Sequence, residues 1–411
     1  MVSVPLRRNR NFLLLQAGQL LSNAGTQLSS IAYPLLALEL TGSAAKAGVV
    51  AFARILPVAL FMLPAGAAAD RWSRKRLMVA ADGVRLLAVG GLAAGIWLGG
   101  IAFWVLPLVA FVEGAATALF SATHAGALRA VVPTVQIPAA AAVQTGRQAA
   151  VQLAGPPAGG ALFGLGHALP FAADALSYAF SALSLVAIRR PFQDEHEPDR
   201  RPLRGRMAEG CRFLRDHPFL RTTALLFGLT NFLGPALLLA LVVLGTRQGL
   251  SGGQVGVLVA AFGAGLLLGS FLSPIVRRLL PVRAVLLLEL WTWPGCAVYL
   301  VWQDVYVLTA AMLLTALAIP ASDSVVHGYR IAMTPDWLLG RVEAVRSTLS
   351  LAVAPLGPLV AGALLGAVSA RATIAVLAAV ALALALWGTL SRPIRTAPTL
   401  AQLVDPAAAG G

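Results

Sequence analysis

The sequence predicts an all-α membrane protein of twelve transmembrane helices, laid out as two parallel six-helix pseudo-repeats. Three observations carry that expectation. Hydrophobic residues make up 58% of the 411-residue chain and charged residues 12%, where soluble domains carry about a quarter charged residues. Apolar segments long enough to cross about 30 Å of hydrocarbon recur along the whole chain. The basic residues fall almost entirely between those segments.

The segments run over 12–38, 47–69, 77–98, 102–123, 139–165 and 168–188, and then over 218–244, 254–276, 283–303, 305–326, 344–367 and 372–390. Each is expected to be a helix, because lipid offers no partner to an exposed backbone N–H or C=O. This gives a first six-helix bundle over 1–188, a cytoplasmic linker with an amphipathic helix over 189–217, a second bundle over 218–391 and a cytoplasmic tail over 392–411.

Orientation follows from counting Lys and Arg. With both termini in the cytoplasm, 25 of the 31 lie on the inner side and only Lys46, Arg247 and Arg371 lie outside. Arg54, Arg85 and Arg147 fall within spans. Such an excess inside sets the topology. Trp97, Phe103 and Trp104 flank one outer loop, and Tyr299, Trp302 and Tyr306 flank its counterpart. The net charge of +14 is therefore an orientation signal, and no nucleic-acid partner is expected. Three arginines precede Asn11 with no small-residue cleavage site after the first apolar run, so the first helix reads as retained. Cys211 and Cys296 provide neither a disulfide nor a metal framework.

An internal repeat of about 202 residues underlies the two halves. Gly66, Asp70, Arg74 and Lys75 align with Gly269, Ser273, Arg277 and Arg278 at an offset of 203. His124, Arg129 and Pro133 align with His327, Arg330 and Pro335, and Gly155-Pro156 with Gly357-Pro358. Parallel six-helix halves of this kind surround a central cavity and rock about it. Only the first copy keeps the acid, since Ser273 stands where Asp70 does. The linker holds an amphipathic stretch at 205–216, with Met207, Cys211 and Leu214 opposite Arg206, Arg212 and Arg215. It reads as a surface helix on the inner leaflet.

Ionisable groups inside spans are costly, and so mark function by default. Glu113 is the sharpest, near the middle of span four. Glu113, Thr117, Ser121 and His124 fall within one narrow helical face. Span one carries Gln16, Gln19, Asn23, Gln27 and Ser30 at spacings of 3-4-4-3; span five carries Gln144, Gln148 and Gln152 with Arg147 beside them. A single amide can simply hold helices together. Three aligned stripes, one with a mid-span acid, point instead to a hydrated cavity, to which Asn231 of span seven contributes from the other half. The proton-coupling candidates are Glu113, Arg147, Asp174 and Glu289. Asp174 and Asp323 lie near span ends, where a cap or a solvated position is the simpler reading. Asp82 and Arg85, three apart, can pair on one face of span three. Gly155, Pro156, Gly159 and Gly160 form a packing motif in span five, with a bend expected at the paired prolines.

No HExxH, G-x-S-x-G or Walker loop and no Cys or His cluster occurs, so neither an enzyme nor a metal site is expected. The turn Gly66-Ala67-Ala68-Ala69-Asp70-Arg71-Trp72-Ser73-Arg74-Lys75-Arg76 resembles the signature loop between helices 2 and 3 of the major facilitator superfamily. The similarity spans essentially the full chain. More narrowly, Leu40-Thr41-Gly42-Ser43, Asp82-Gly83-Val84-Arg85, Gly155-Pro156 to Gly160, Asp174-Ala175-Leu176-Ser177, Phe213-Leu214-Arg215 and Thr334-Pro335 with Gly340-Arg341-Val342 resemble the third drug:proton antiporter family, which includes macrolide-efflux and enterobactin-exporter proteins.

That resemblance implies the major facilitator fold and alternating access. It implies a conformational latch in which Asp70 meets the basic loop (Arg71, Arg74, Lys75) and the positive end of span eleven, with Asp82 and Arg85 alongside. The glycine-proline motif is associated with exporters. In one respect the sequence departs from the pattern: many drug antiporters place an arginine in span four, where this chain offers Glu113. The expected function is proton-coupled efflux of amphipathic small molecules (drug, macrolide-like or siderophore-like) by a monomer in the cytoplasmic membrane, with no cofactor beyond the proton gradient. The alternatives are an importer or uniporter of a small metabolite, and a non-transporting sensor or scaffold.

Overall fold

A chain with so few charges satisfies its backbone polar groups within helices, and the structure, a computed structural model, is built from them. It describes residues 6–189, 192 and 203–397. Among the described residues there is no strand. The helices are α1 (Arg10–Thr41), α2 (Ala44–Arg71), α3 (Arg74–Trp97), α4 (Val105–Val131), α5 (Ile137–Leu165), α6 (Leu169–Ala187), α7 (Leu203–Asp216), α8 (Pro218–Arg247), α9 (Gly252–Leu279), α10 (Val282–Thr292), α11 (Val305–Met333), α12 (Asp336–Val353), α13 (Leu356–Ala367), α14 (Ala370–Leu390) and the short α15 (Arg392–Arg395).

Local chemistry sets the boundaries. The Asn9 side chain accepts from the Phe12 N–H at 3.1 Å and caps α1, while its amide donates to the Val131 carbonyl at 2.8 Å. Gly42 ends α1 at φ 63°, a left-handed cap conformation that glycine adopts without strain. Ser43 then caps α2, and Asp304 and Ser369 cap α11 and α14 in the same way.

Two expected spans are interrupted. The segment expected over 283–303 is the short α10 followed by a 3-10 helix, Trp293–Leu300; Pro294 has no N–H to continue the α-helical ladder. The segment expected over 344–367 is divided between α12 and α13 at Ala354-Pro355 for the same reason. By contrast, α5 continues from Ile137 to Leu165 through both Pro156 and Pro157.

The chain divides into two compact units, residues 1–199 with 242–260, and residues 200–241 with 261–411. The end of α8 and the start of α9 thus go with the first unit, and the expected linker is split between the two. In the first unit α1 packs on α5 and α6, α2 on α4, and α3 on α4 and α6. Close approach depends on small residues at the contacts. A methyl group on Gly25 would collide with Ser177 and Asp174 of α6, and one on Gly114 with the Arg54 carbonyl of α2. These two contacts fix where Asp174 and Glu113 come to rest.

In the second unit α7 packs along α12. Gly210 lies against the Arg341 backbone, and Arg341 pairs with Glu209. Met207 is half-buried and Leu214 buried, whereas Cys211 is exposed. The apolar side of the amphipathic helix therefore has a protein neighbour in α12.

Nine helical segments among the described residues are long and apolar enough to cross a membrane. Helices α1 and α5 are long but not among them, because glutamines, an asparagine and Arg147 lower their hydropathy. Two of the three helices bearing polar stripes therefore fall outside the nine, and the third, α4, is among them.

Candidate functional site

Glu113 is 1% exposed on α4 and is enclosed by side chains from three other helices. The Tyr33 hydroxyl of α1 donates to its Oε2 at 2.7 Å, and the Tyr178 hydroxyl of α6 donates to its Oε1 at 3.1 Å. Arg54 of α2 donates to Oε1 at 3.3 Å and to the Thr26 carbonyl at 3.0 Å. Every proton acceptor on the carboxylate thus has a donor, as a buried charge requires. The Arg54 guanidinium also lies over the Tyr33 ring, 5.4 Å from its centroid.

Tyr178 joins this ion pair to two further acids. Its hydroxyl lies 3.4 Å from Asp174 Oδ2 and 2.9 Å from the Thr26 hydroxyl. Arg85 sits over its ring at 4.6 Å, stacks at the same distance on Phe120, and pairs with Asp82 at 2.6 Å. Asp174 is fully buried, which rules out the solvated position that was one of the readings of its place near a span end. The close α1–α6 contact at Gly25 covers it. The Asp82–Arg85 pair forms as its spacing predicts. The cluster holds three carboxylates (Asp82, Glu113, Asp174) against two guanidiniums (Arg54, Arg85), and only Asp174 has no arginine within ion-pair distance.

Arg147 lies elsewhere in the same unit. It borders a groove between α1 and α5 lined by Gln19, Leu20, Asn23, Gln144, Gln148 and Val151. Its Nη1 donates to the Gln16 carbonyl at 2.9 Å. The span-one and span-five stripes thus come together, but around Arg147 and not around Glu113. Gln27 packs against Gly155 instead, Gly159 faces the Leu28 backbone and Gly160 faces Gly252. Pro156 presents its carbonyl to Gly256. Gln152 and Ser121 are exposed, and Thr117 turns its hydroxyl back to the Glu113 carbonyl at 2.8 Å.

In the second unit Glu289 of α10 is 4% exposed and neighbours Asp323, Ser322 and Trp293. Asn231 is exposed and bonds to the Phe227 carbonyl and the Ser350 hydroxyl. Glu343 of α12 draws in Arg330 at 2.9 Å and Arg346 at 2.6 Å.

The basic loop grips a helix end. Lys75 donates to the Val186 and Ile188 carbonyls at 3.1 and 2.5 Å, and Arg74 to the Phe192 carbonyl at 3.5 Å. Cations at the C-terminus of α6 meet the negative end of its dipole. Arg71 is exposed. Asp70 is in α2, but its side chain lies outside the described residues. In the second unit Ser273 sits 3.4 Å from both the Pro320 carbonyl and the Ser324 hydroxyl.

The two tyrosines were not singled out by sequence reasoning, and Arg54 was marked only as an ionisable group within span two, without a partner. A signal existed, since Tyr33 and Tyr178 lie inside spans and not at the interfacial belts where tyrosine gathers. Both also share a face with polar residues: Thr26 with Tyr33 at i, i+7, and Asp174 with Ser177 and Tyr178 at i, i+3, i+4.

Ionisable groups buried between apolar helices mark a functional site in a membrane protein, and the fold that holds them has known counterparts. The chain superposes on a bacterial homologue of the iron transporter ferroportin in an inward-facing state with a TM-score of 0.74, at 17% identity over 94% of this chain and 99% of that one. A bacterial homologue of the human lysosomal transporter Spinster gives 0.69 at 15% identity, over 94% and 96%. The protein is a transmembrane transporter of the major facilitator superfamily. More narrowly, the model of the transmembrane secretion effector family matches residues 3–403, and the chain belongs to that family. It is similar to the multidrug efflux pump Tap of Mycobacterium tuberculosis, with 28% identity over 396 residues, covering 90% of this chain and 91% of the pump. The Tap pump of Mycolicibacterium fortuitum is 25% identical over 373 residues, covering 88% and 90%.

Proposed function

We propose that the protein is a proton-coupled exporter of amphipathic small molecules, working by alternating access in the cytoplasmic membrane. Its twelve spans are the nine apolar ones together with α1, α5 and the 282–300 segment, with both termini in the cytoplasm. Similarity to multidrug efflux pumps over nine-tenths of the chain supports outward transport.

The observation that carries proton coupling is the single hydroxyl of Tyr178 between two buried carboxylates. One O–H can donate to Glu113 or to Asp174, not to both. With both acids ionised, one of them is left without that donor in a cluster that already has one carboxylate too many. A proton on Asp174 removes the conflict: Asp174 donates to the Tyr178 oxygen, and Tyr178 donates to Glu113. Loading and release of that proton changes how tightly α4 and α6 are held to α1, which is the kind of bias alternating access needs. Glu113, Tyr178 and Asp174 carry the proton in this reading, and Asp70 with Arg74 and Lys75 holds one facing state.

The test is transport in everted proteoliposomes with an acidic lumen. A panel of amphipathic compounds is offered outside while lumenal pH is followed. Compound accumulation accompanied by proton loss from the lumen is expected. Accumulation that is unchanged when the gradient is collapsed would refute the coupling, and accumulation only toward the cytoplasmic face would refute export.

A further inference from the structure

We propose that the α1–α5 groove binds an anionic group of the transported molecule, with Arg147 as its counter-ion. This deepens the efflux reading, on which it rests for flux but not for binding.

Three arginines lie within the spans of the first unit, and they differ in one respect. Arg54 is paired with Glu113 at 3.3 Å and Arg85 with Asp82 at 2.6 Å. Among the described residues Arg147 has no carboxylate within ion-pair distance; its bond is to a backbone carbonyl, that of Gln16. Its Nε is buried with no hydrogen-bond partner. A guanidinium presents five donors in a fork suited to a carboxylate, and a charge at membrane depth is costly without a counter-ion.

The surroundings repeat the same deficit. Gln16 is 3% exposed, yet neither its amide nitrogen nor its oxygen has a partner. His124 Nε2 of α4 is likewise buried and unpartnered. Buried polar atoms are normally satisfied, so unmet donors beside a guanidinium with no counter-ion mark a place where a ligand supplies acceptors. Gln19, Asn23, Gln144 and Gln148 add amides along the groove, and no acid lines it. A cationic molecule would meet the Arg147 charge with no carboxylate among the lining residues to offset it. An organic anion, a carboxylate on an amphipathic scaffold, supplies both the charge and the acceptors.

A purely structural role, in which Arg147 ties α5 to α1 through the Gln16 carbonyl, is distinguished by a matched pair of probes. Purified protein in phosphatidylcholine nanodiscs is titrated with dansylglycine, which carries a carboxylate, and with dansylglycinamide, its neutral twin. The wild type is expected to bind the carboxylate at least about tenfold tighter than the amide, as a charge-assisted bidentate contact supplies. In Arg147→Gln the carboxylate falls to the affinity of the amide, while an unchanged melting temperature reports that the protein is folded. Arg147→Lys keeps part of the preference, because the charge remains and the fork is lost. Equal affinity for the two probes in the wild type, or equal weakening of both by Arg147→Gln, overturns the proposal. Flux of the same probes separates the two levels. Carboxylate-selective binding with no outward flux removes the efflux reading and leaves the site; outward flux of both probes at undiminished rates in Arg147→Gln keeps efflux and removes the site.

Discussion

Glu113 and Arg147 are both ionisable groups on helices of the first unit, but one is closed in by side chains and the other borders a groove. Around Glu113 each oxygen has a donor, drawn from α1, α2 and α6. Around Arg147, among the described residues, no carboxylate answers the charge, and the buried amide of Gln16 is left unmet. A cluster short of a single donor is completed by a proton and needs no larger ligand. A cluster with an unanswered charge is shaped for something that arrives from outside. The difference separates the work of coupling from that of recognition within a single bundle, and it can be broken at either end.

The largest effect is expected from removing the coupling charge. Glu113→Gln should lower gradient-driven transport by about 100-fold, the scale of losing a positioned proton-transfer group, while substrate exchange without a gradient stays near the wild-type rate. Next comes the packing that assembles the cluster. Gly114→Leu should destabilise the protein by about 1–3 kcal/mol, read as a lower melting temperature in detergent, because the new side chain meets the Arg54 carbonyl and cannot be accommodated without moving a helix. Tyr178→Phe keeps the ring under Arg85 and deletes the bridging hydroxyl. It should cost about 1–3 kcal/mol of stability and weaken the coupling of transport to pH, because two buried acids lose a shared donor. The smallest effect falls on the basic loop: Lys75→Ala should cost about 0.3–1 kcal/mol through the lost contact with the C-terminus of α6. If Lys75→Ala proves more damaging to transport than Glu113→Gln, the division between the two clusters is misplaced.

Much of this was legible in the sequence. Hydropathy and the basic loops marked the helices, and helical spacing put Glu113 and the glutamines on single faces. What spacing cannot show is which face meets which. The three stripes read as one cavity, whereas the structure gathers the span-one and span-five amides around Arg147 and turns Glu113 toward Tyr33, Tyr178 and Arg54. Tyr33 and Tyr178 counted as apolar bulk in the hydropathy profile, so their hydroxyls went unread. A cap and a solvated position were both open to Asp174 from its place near a span end, and only the glycine contact from α1 reveals that it is buried. Gln27 belonged to a polar stripe by period but packs on Gly155, a contact that depends on the neighbouring helix. The breaks in the 283–303 and 344–367 segments were marked by Pro294 and Pro355, and hydropathy averaged over both.

Proton coupling through Glu113 is tested most directly by two assays in one liposome preparation: accumulation of an exported compound against its gradient, driven by protons, and exchange of the same compound with no gradient at all. Glu113→Gln is expected to retain exchange and lose accumulation. Full accumulation by Glu113→Gln would contradict that expectation and would move the proton site out of the Glu113–Tyr178–Asp174 cluster.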